Sequence, residues 1–257
     1  MIINFLECLV VLVRRERKTR YSGGILGYLW AFITPMFWIA IVALSFKFLG
    51  RAVPINVGAE IFVATGILPY ALMRQTITSQ CRSLIANRYL QYIKPVTIND
   101  IAFASAGLEF LNSLITSLII YTAILLVFDA KAPADIFVLL IAIILSWGLG
   151  ASFGTLVATI GRVSDSFARA VPIILRPLFW ISGVFYSSNE LPSGLLTIFS
   201  FNPLFHVVEL TREGFFYGYE ASISSFSYPI ICILSFYLLT NLFENWIKLK
   251  NNIRHRI

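Results

Sequence analysis

His206 and Glu209 stand one helical turn apart in the segment FNPLFHVVELTREGFF. A His-x-x-Glu pair is a donor set for a metal ion or for general acid–base work. No second histidine or carboxylate cluster accompanies it, since the other histidine, His255, sits in a basic tail. The plainer reading is therefore that both side chains are structurally satisfied. Cys8, Cys81 and Cys232 show neither metal-ligand spacing nor a disulfide framework and read as small buried hydrophobes. GLGASFG at 148–154 is superficially similar to a dinucleotide-binding glycine pattern, but it lies inside an apolar run with no flanking strand. Gly150 and Gly154 read instead as positions of close helix packing. The chain has no GxxxxGKS or GxxxxGKT, HExxH, GxSxG or CxxC motif, so it carries no phosphate-binding loop for ATP.

A second set of polar residues lies within long apolar runs. Arg74 is followed by Gln75, Thr76, Thr78 and Gln80; Glu109, Arg176 and Glu244 stand in later runs. Charges inside membrane helices are costly and face a protein interior or a water-filled cavity. They either line a path or gate, or form internal ion pairs such as Glu109 with an arginine. A polar lining without a metal or nucleophile favours transport over chemistry. Pro172 and Pro177 flank Arg176 and interrupt the helical hydrogen-bond ladder there, as a moving part or a static kink would.

The elements that must position these residues follow from composition. Of 257 residues, 58% are hydrophobic and 13% charged, and mean hydropathy is +0.81. Soluble domains carry roughly 25% charged residues, so too little polar surface exists here to cover a water-soluble globule. The fold class is an all-α integral membrane protein, one transmembrane domain over 1–257 with no second soluble domain. Spans of roughly 20 apolar residues fall at about 28–49, 60–80, 101–128, 136–160, 168–187 and 226–247. Long apolar runs satisfy their backbone internally and are helical; the short alternating segments of a barrel are missing.

Charge placement orients the helices. Fifteen Lys and Arg fall on the side of the N-terminus, the 81–100 connection, Arg162, Arg169 and Arg176 between or just inside spans four and five, and the C-terminus; four fall on the other. Glu60, Asp129, Asp135, Glu190, Glu209, Glu213 and Glu220 lie on the cation-poor side. The positive-inside rule places both termini in the cytoplasm. It also explains the net charge of +7 without nucleic acid. Leu6, Leu9, Val10 and Val13 form an i, i+3, i+4, i+7 stripe ahead of the RRERKTR cluster. Residues 3–21 therefore read as an interfacial amphipathic helix rather than a signal, because the apolar stretch precedes the cations. The external segment 187–225 is too apolar for an exposed loop. Pro192 and Pro203 start new elements there, read as two short re-entrant helices before the last span.

Three segments carry a family resemblance. The entry pattern comprises Arg15, Glu16, Arg20 and Tyr21, then LGYLW at 26–30 with Tyr28 and Trp30, then Pro35; the second segment is ANRYLQYIKP at 86–95; the third runs from Pro177 through PLFWISGVFYSSNELP to NPLFHVVELTREGFFYGY. In this order they make the chain resemble the membrane subunit of type-2 ABC exporters, most closely the capsular polysaccharide export permeases (KpsM-like), over nearly its full length. The resemblance implies six spans, a homodimer and two copies of a separate ATPase subunit, which would hold the ATP and Mg; no cofactor is expected in this chain. It implies a coupling helix at Arg88, Tyr89, Lys94 and Pro95 seated in the ATPase, bordered by the basic helix with Arg15, Glu16 and Arg20. It implies a lipid-linked capsular polysaccharide as cargo, carried across a bacterial inner membrane toward a periplasmic adaptor and an outer-membrane channel. Candidate path or gate residues are Tyr28, Trp30, Arg74, Glu109, Arg176 and Trp180. Aromatic faces suit sugar rings and cations suit acidic glycans, though aromatics such as Trp38 also populate membrane interfaces. O-antigen, teichoic acid or drug export, a membrane acyl- or glycosyltransferase using His206 and Glu209, and a channel stand as alternatives.

Overall fold

The computed structural model describes residues 13–14, 25–51, 53, 57–87, 98–128, 130–161 and 165–254. Among the described residues there are eight α-helices and no strand. They are α1 (Ile25–Phe48), α2 (Ala59–Ala86), α3 (Ile98–Val127), α4 (Ile136–Gly161), α5 (Asp165–Ile181), α6 (Ser193–Phe199), α7 (Pro203–Phe215) and α8 (Ser227–Arg254). The expected N-terminal interfacial helix at 3–21 lies almost wholly outside the described residues.

A helix occupies each of the six apolar runs. Three are long and apolar enough to cross a membrane by length and composition: Asp100–Val127, Ile136–Gly161 and Ser227–Ile247. The described apolar parts of α1 and α5 are shorter, Phe32–Phe48 and Ala170–Ile181. Helix α2 is more polar because it is the inner helix: every residue from 61 to 70 is buried. A helix walled off by its neighbours is under less pressure to be apolar on every face. Span five was expected to reach residue 187, but α5 stops at Ile181. Gly183, at φ +77°, turns the chain out of the helix there, a conformation that costs a residue with a Cβ but not glycine.

The most extensive helix contact joins α2 to α4, and α7 and α8 also pack on α4. Sequence dictates this closeness. A Cβ on Gly150 would lie 2.7 Å from Thr76 Cβ and 2.8 Å from the Met73 carbonyl oxygen, and one on Gly154 would lie 2.9 Å from Ile77 Cα. Only hydrogen at those positions lets the two backbones approach so closely. The GLGASFG segment is thus a packing surface. Ser146 and Trp147 of α4 complete the joint, donating to the carbonyls of Pro69 in α2 and Ala106 in α3.

The outward faces of α1, α3, α5 and α8 carry exposed Phe37, Leu44, Phe103, Leu118, Ile173, Leu234 and Leu238. Such continuous apolar surface suits contact with lipid or protein rather than water. Cys81 is buried as expected, while Cys232 is only partly so.

Candidate functional site

The segment between α5 and α8 folds around one ion pair. Pro192 caps α6, and Pro203 occupies the first turn of α7, where its missing N–H costs nothing. Asn202 caps α7 by accepting from Leu204 N at 3.0 Å, and its Nδ2 donates to the Ile181 carbonyl at 3.2 Å and to Ser182 Oγ at 3.0 Å. One side chain thus joins the start of α7 to the end of α5. Helices α6 and α7 meet at a bend of 106°. The first is largely exposed, whereas α7 is buried along most of its length.

Glu209 and Arg212 project from α7 at i, i+3, and both are 0% exposed. Arg212 Nη1 donates to Glu209 Oε1 at 2.7 Å and to the Tyr186 carbonyl at 2.8 Å; Nη2 donates to the Gly183 carbonyl at 2.6 Å. The guanidinium lies over the Phe62 ring of α2 at 4.1 Å. Glu209 Oε2 accepts from Ser188 Oγ at 2.7 Å and from the Tyr219 hydroxyl at 2.5 Å. A buried guanidinium needs several acceptors in a fixed plane, and here a carboxylate and two carbonyls provide them. Burial pushes the Tyr219 phenol pKa up, and the Glu209 charge beside it pushes it further, so Tyr219 remains a donor. The cluster ties α7, the 183–190 connection and the turn at Tyr219 to α2. At Gly66 of α2 a Cβ would lie 2.9 Å from Val184 Cα and 3.3 Å from Arg212 Nη2, so the connection rests directly on α2.

His206 and Glu209 do not act on a common group. His206 Nε2 hydrogen-bonds the Ser200 carbonyl at 2.8 Å, and its ring lies 5.0 Å from that of Tyr228, while Glu209 is engaged by Arg212, Ser188 and Tyr219. Among the described residues no group of three or more His, Cys, Asp or Glu could hold a metal ion. The plainer sequence reading, structural satisfaction of both side chains, fits these contacts; Arg212, counted in the sequence only as an external cation, is the partner of Glu209. The i, i+3 Glu–Arg spacing in an apolar segment was the available signal. His206→Ala is expected to lower stability by roughly 1–2 kcal/mol, the worth of one buried hydrogen bond and some packing, read as a lower melting temperature of the purified chain. A melting temperature unchanged from the native chain would mean that the Ser200 hydrogen bond contributes nothing to the fold.

The candidate path residues separate into two locations. Arg74, Arg176, Trp30 and Trp180 are exposed, the tryptophans at 64% and 63%. Arg74 stands on α2 and Arg176 and Trp180 on α5, and aromatic contacts join these helices to each other and to α1. Tyr70, one turn before Arg74, donates its hydroxyl to the Leu175 carbonyl at 3.0 Å, and its ring lies 4.9 Å from Phe179. Trp38 of α1 touches the same Phe179 at 6.2 Å, and Trp180 stacks on Phe185 at 4.8 Å. These rings form an aromatic contact between α1, α2 and α5. Glu109 is elsewhere, buried on α3 at 1% exposure. The Tyr28 side chain lies outside the described residues, as do the coupling candidates Arg15, Glu16, Arg20, Arg88, Tyr89, Lys94 and Pro95.

Comparison with known proteins places this architecture. The polysialic acid transport protein KpsM of Escherichia coli is 28% identical over 235 residues, covering 89% of this chain and 87% of that protein. The capsule polysaccharide export inner-membrane protein CtrC of Neisseria meningitidis serogroup A is 28% identical over 246 residues, covering 92% of each. The corresponding protein BexB of Haemophilus influenzae is 26% identical over 229 residues, covering 89% of this chain and 86% of that protein. The family model for ABC-2 type transporters matches residues 7–216, most of the length and including the surface of α1, α2 and α5 and the buried Glu209–Arg212 cluster: the chain belongs to the ABC-2 type transporter family.

Proposed function

We propose that the chain is the transmembrane permease subunit of an ATP-driven exporter that moves lipid-linked capsular polysaccharide across the bacterial inner membrane. The observation that carries this reading is similarity over about nine-tenths of the chain to proteins named for capsule polysaccharide export. A motor must come from elsewhere, because no phosphate-binding motif stands anywhere in the 257 residues. In this reading two copies of the chain pair with two copies of a separate ATPase, which binds ATP and Mg. Both termini face the cytoplasm, all six long apolar helices cross, and α6 and α7 form a re-entrant cap on the outer side.

The exposure of Arg74 on α2 and Arg176 on α5 supports the homodimer. Exposed Arg74 and Arg176 among apolar side chains are costly against lipid, and a second copy facing them would enclose a polar, aromatic-walled path. Cations there suit an acidic glycan or a phosphate linker, and Trp30 and Trp180 suit sugar faces. A periplasmic adaptor and an outer-membrane channel would receive the polymer.

Deleting the gene should remove surface capsule. Transport sustained by the purified chain without any ATPase would sink the reading. The coupling arm is tested by reversing Arg88 and Lys94 together to Glu. Each lost charge-assisted contact is worth roughly 1.5–3 kcal/mol, so ATPase co-purification is expected to fall about tenfold or more, with normal chain in the membrane. Unchanged co-purification and export would remove residues 86–95 from the interface.

A further inference from the structure

Helix α8 carries Tyr237, Thr240 and Asn241 at i, i+3 and i+4, on one helical face. These side chains form one wall of an open cavity of about 100 Å³. Thr155 of α4 joins them, and Ala102, Phe103 and Ala106 of α3 supply an apolar wall. Both α3 and α8 pack on α4, and side chains next to the cavity draw them onto it. Trp147 of α4 donates to the Ala106 carbonyl at 2.9 Å, and its ring lies 4.9 Å from that of Phe110 on α3. The Phe153 ring of α4 lies 5.2 Å from that of Phe236 on α8, and a Cβ on Gly148 would come within 2.9 Å of Ile233 Cδ1.

The polar wall offers free donors and no charge. Thr155 and Thr240 donate to the carbonyls of Ala151 and Phe236 in their own helices at 2.7 and 2.8 Å, so they offer a ligand only oxygen lone pairs. Among the described residues the Tyr237 hydroxyl and the Asn241 amide donate to no protein group. The lining holds no Lys, Arg, Asp or Glu. An unpaired donor inside a span is costly, because hydrocarbon supplies no acceptor. Depth narrows the choice of acceptor. Trp246, 48% exposed, stands where the apolar span of α8 ends, and tryptophan marks the headgroup level. Asn241 lies five residues further in, about 7 Å along the helix axis, and Tyr237 one turn deeper. Lipid phosphates lie outside that level. The ester carbonyls of a glycerolipid hang just inside it, are uncharged, and only accept.

We infer that this cavity holds the ester-linked glycerol region of a membrane glycerolipid, whatever its headgroup. Tyr237 and Asn241 donate to the ester carbonyls. The first methylenes of the acyl chains lie on Ala102, Phe103 and Ala106. The headgroup extends toward the level of Trp246 and meets none of the lining. The site therefore selects the linkage between glycerol and chain. An ether-linked lipid keeps the phosphate, the headgroup and the chain length but has no carbonyl for the two donors.

The inference rests on the chain being a membrane protein and not on its cargo. Its test needs no transport, so the two readings fail separately. The full-length chain in detergent is titrated with native mass spectrometry as the readout. The probes are ester-linked and ether-linked phosphatidylglycerol of equal chain length, and the same pair of phosphatidylcholines. The ester form is expected to bind about threefold to tenfold tighter than the ether form, the worth of one or two neutral hydrogen bonds. The ratio should be the same for both headgroups. Tyr237→Phe, which removes a single oxygen, should lower the ratio. Tyr237→Phe combined with Asn241→Leu, at an exposed position, should bring it to one. Equal binding of ester and ether forms by the native chain overturns the proposal. So does a preference seen with one headgroup only, an unchanged ratio in Tyr237→Phe, or a preference that survives the double variant.

Discussion

Arg212→Met destabilises the chain by about 3–5 kcal/mol, the cost of stranding one partner of a buried ion pair. Both side chains are 0% exposed, so water cannot take over the lost bonds. The substitution leaves Glu209 charged in the interior and deprives the Gly183 and Tyr186 carbonyls of their donor. Ser188 and Tyr219 still donate to Glu209, which limits the loss without cancelling it. Replacing both Glu209 and Arg212 with methionine removes both charges and is expected to cost clearly less than the two single changes added together. A coupling of about 0.5–3 kcal/mol is typical for residues in one network. Thermal melting of detergent-purified chain, with abundance in the membrane, reads all three variants. Single variants within about 0.5 kcal/mol of native, the scatter of ordinary surface changes, would mean that the cluster is not what holds α7 and the 183–190 connection to α2.

The helix joint between α2 and α4 gives the second large effect. Gly150→Val places a branched side chain where a Cβ alone would come within 2.7 Å of Thr76 Cβ and 2.8 Å of the Met73 carbonyl oxygen. The obstacle at Met73 is backbone, which no rotamer change moves aside, so the helices must separate. Overpacking of this kind costs about 1–3 kcal/mol and sometimes more, and the separation also disturbs the hydrogen bond from Ser146 to Pro69. Gly107 on α3 is the matched control, because a Cβ there meets nothing within 4 Å. Gly107→Ala is expected to be neutral or stabilising by a few tenths of a kcal/mol, as alanine favours helix over glycine. A lowered melting temperature for Gly150→Val with an unchanged one for Gly107→Ala confirms the joint. Equal behaviour of the two variants refutes it.

The two clusters differ in how far they could be read in advance. Gly150 and Gly154, four residues apart in an apolar run, are a local pattern with a direct physical meaning, and the structure places them against α2. Arg212 shows locally only its i, i+3 spacing from Glu209, which does not say where the pair is buried. Its acceptors come from Gly183 and Tyr186, twenty-nine and twenty-six residues earlier, and its ring partner is Phe62. His206 and Glu209 share a helix turn, so spacing alone suggested a shared task that their actual neighbours refuse. The end of span five was misplaced because apolar composition continues beyond Ile181, while the backbone turns at Gly183 for a conformational reason.

Composition, apolar run length and charge asymmetry by themselves determined a helical membrane protein, the order of its helices and the absence of its own nucleotide motif. These are properties of short windows, in which hydropathy and backbone satisfaction act residue by residue. Only the tertiary structure decided that α2 is the inner helix, that Arg212 is buried on Phe62, and that Tyr70 and Trp38 meet on Phe179. The reason is that a polar side chain in an apolar span must find a partner, and which partner it finds is set by helices far apart in the chain that pack side by side.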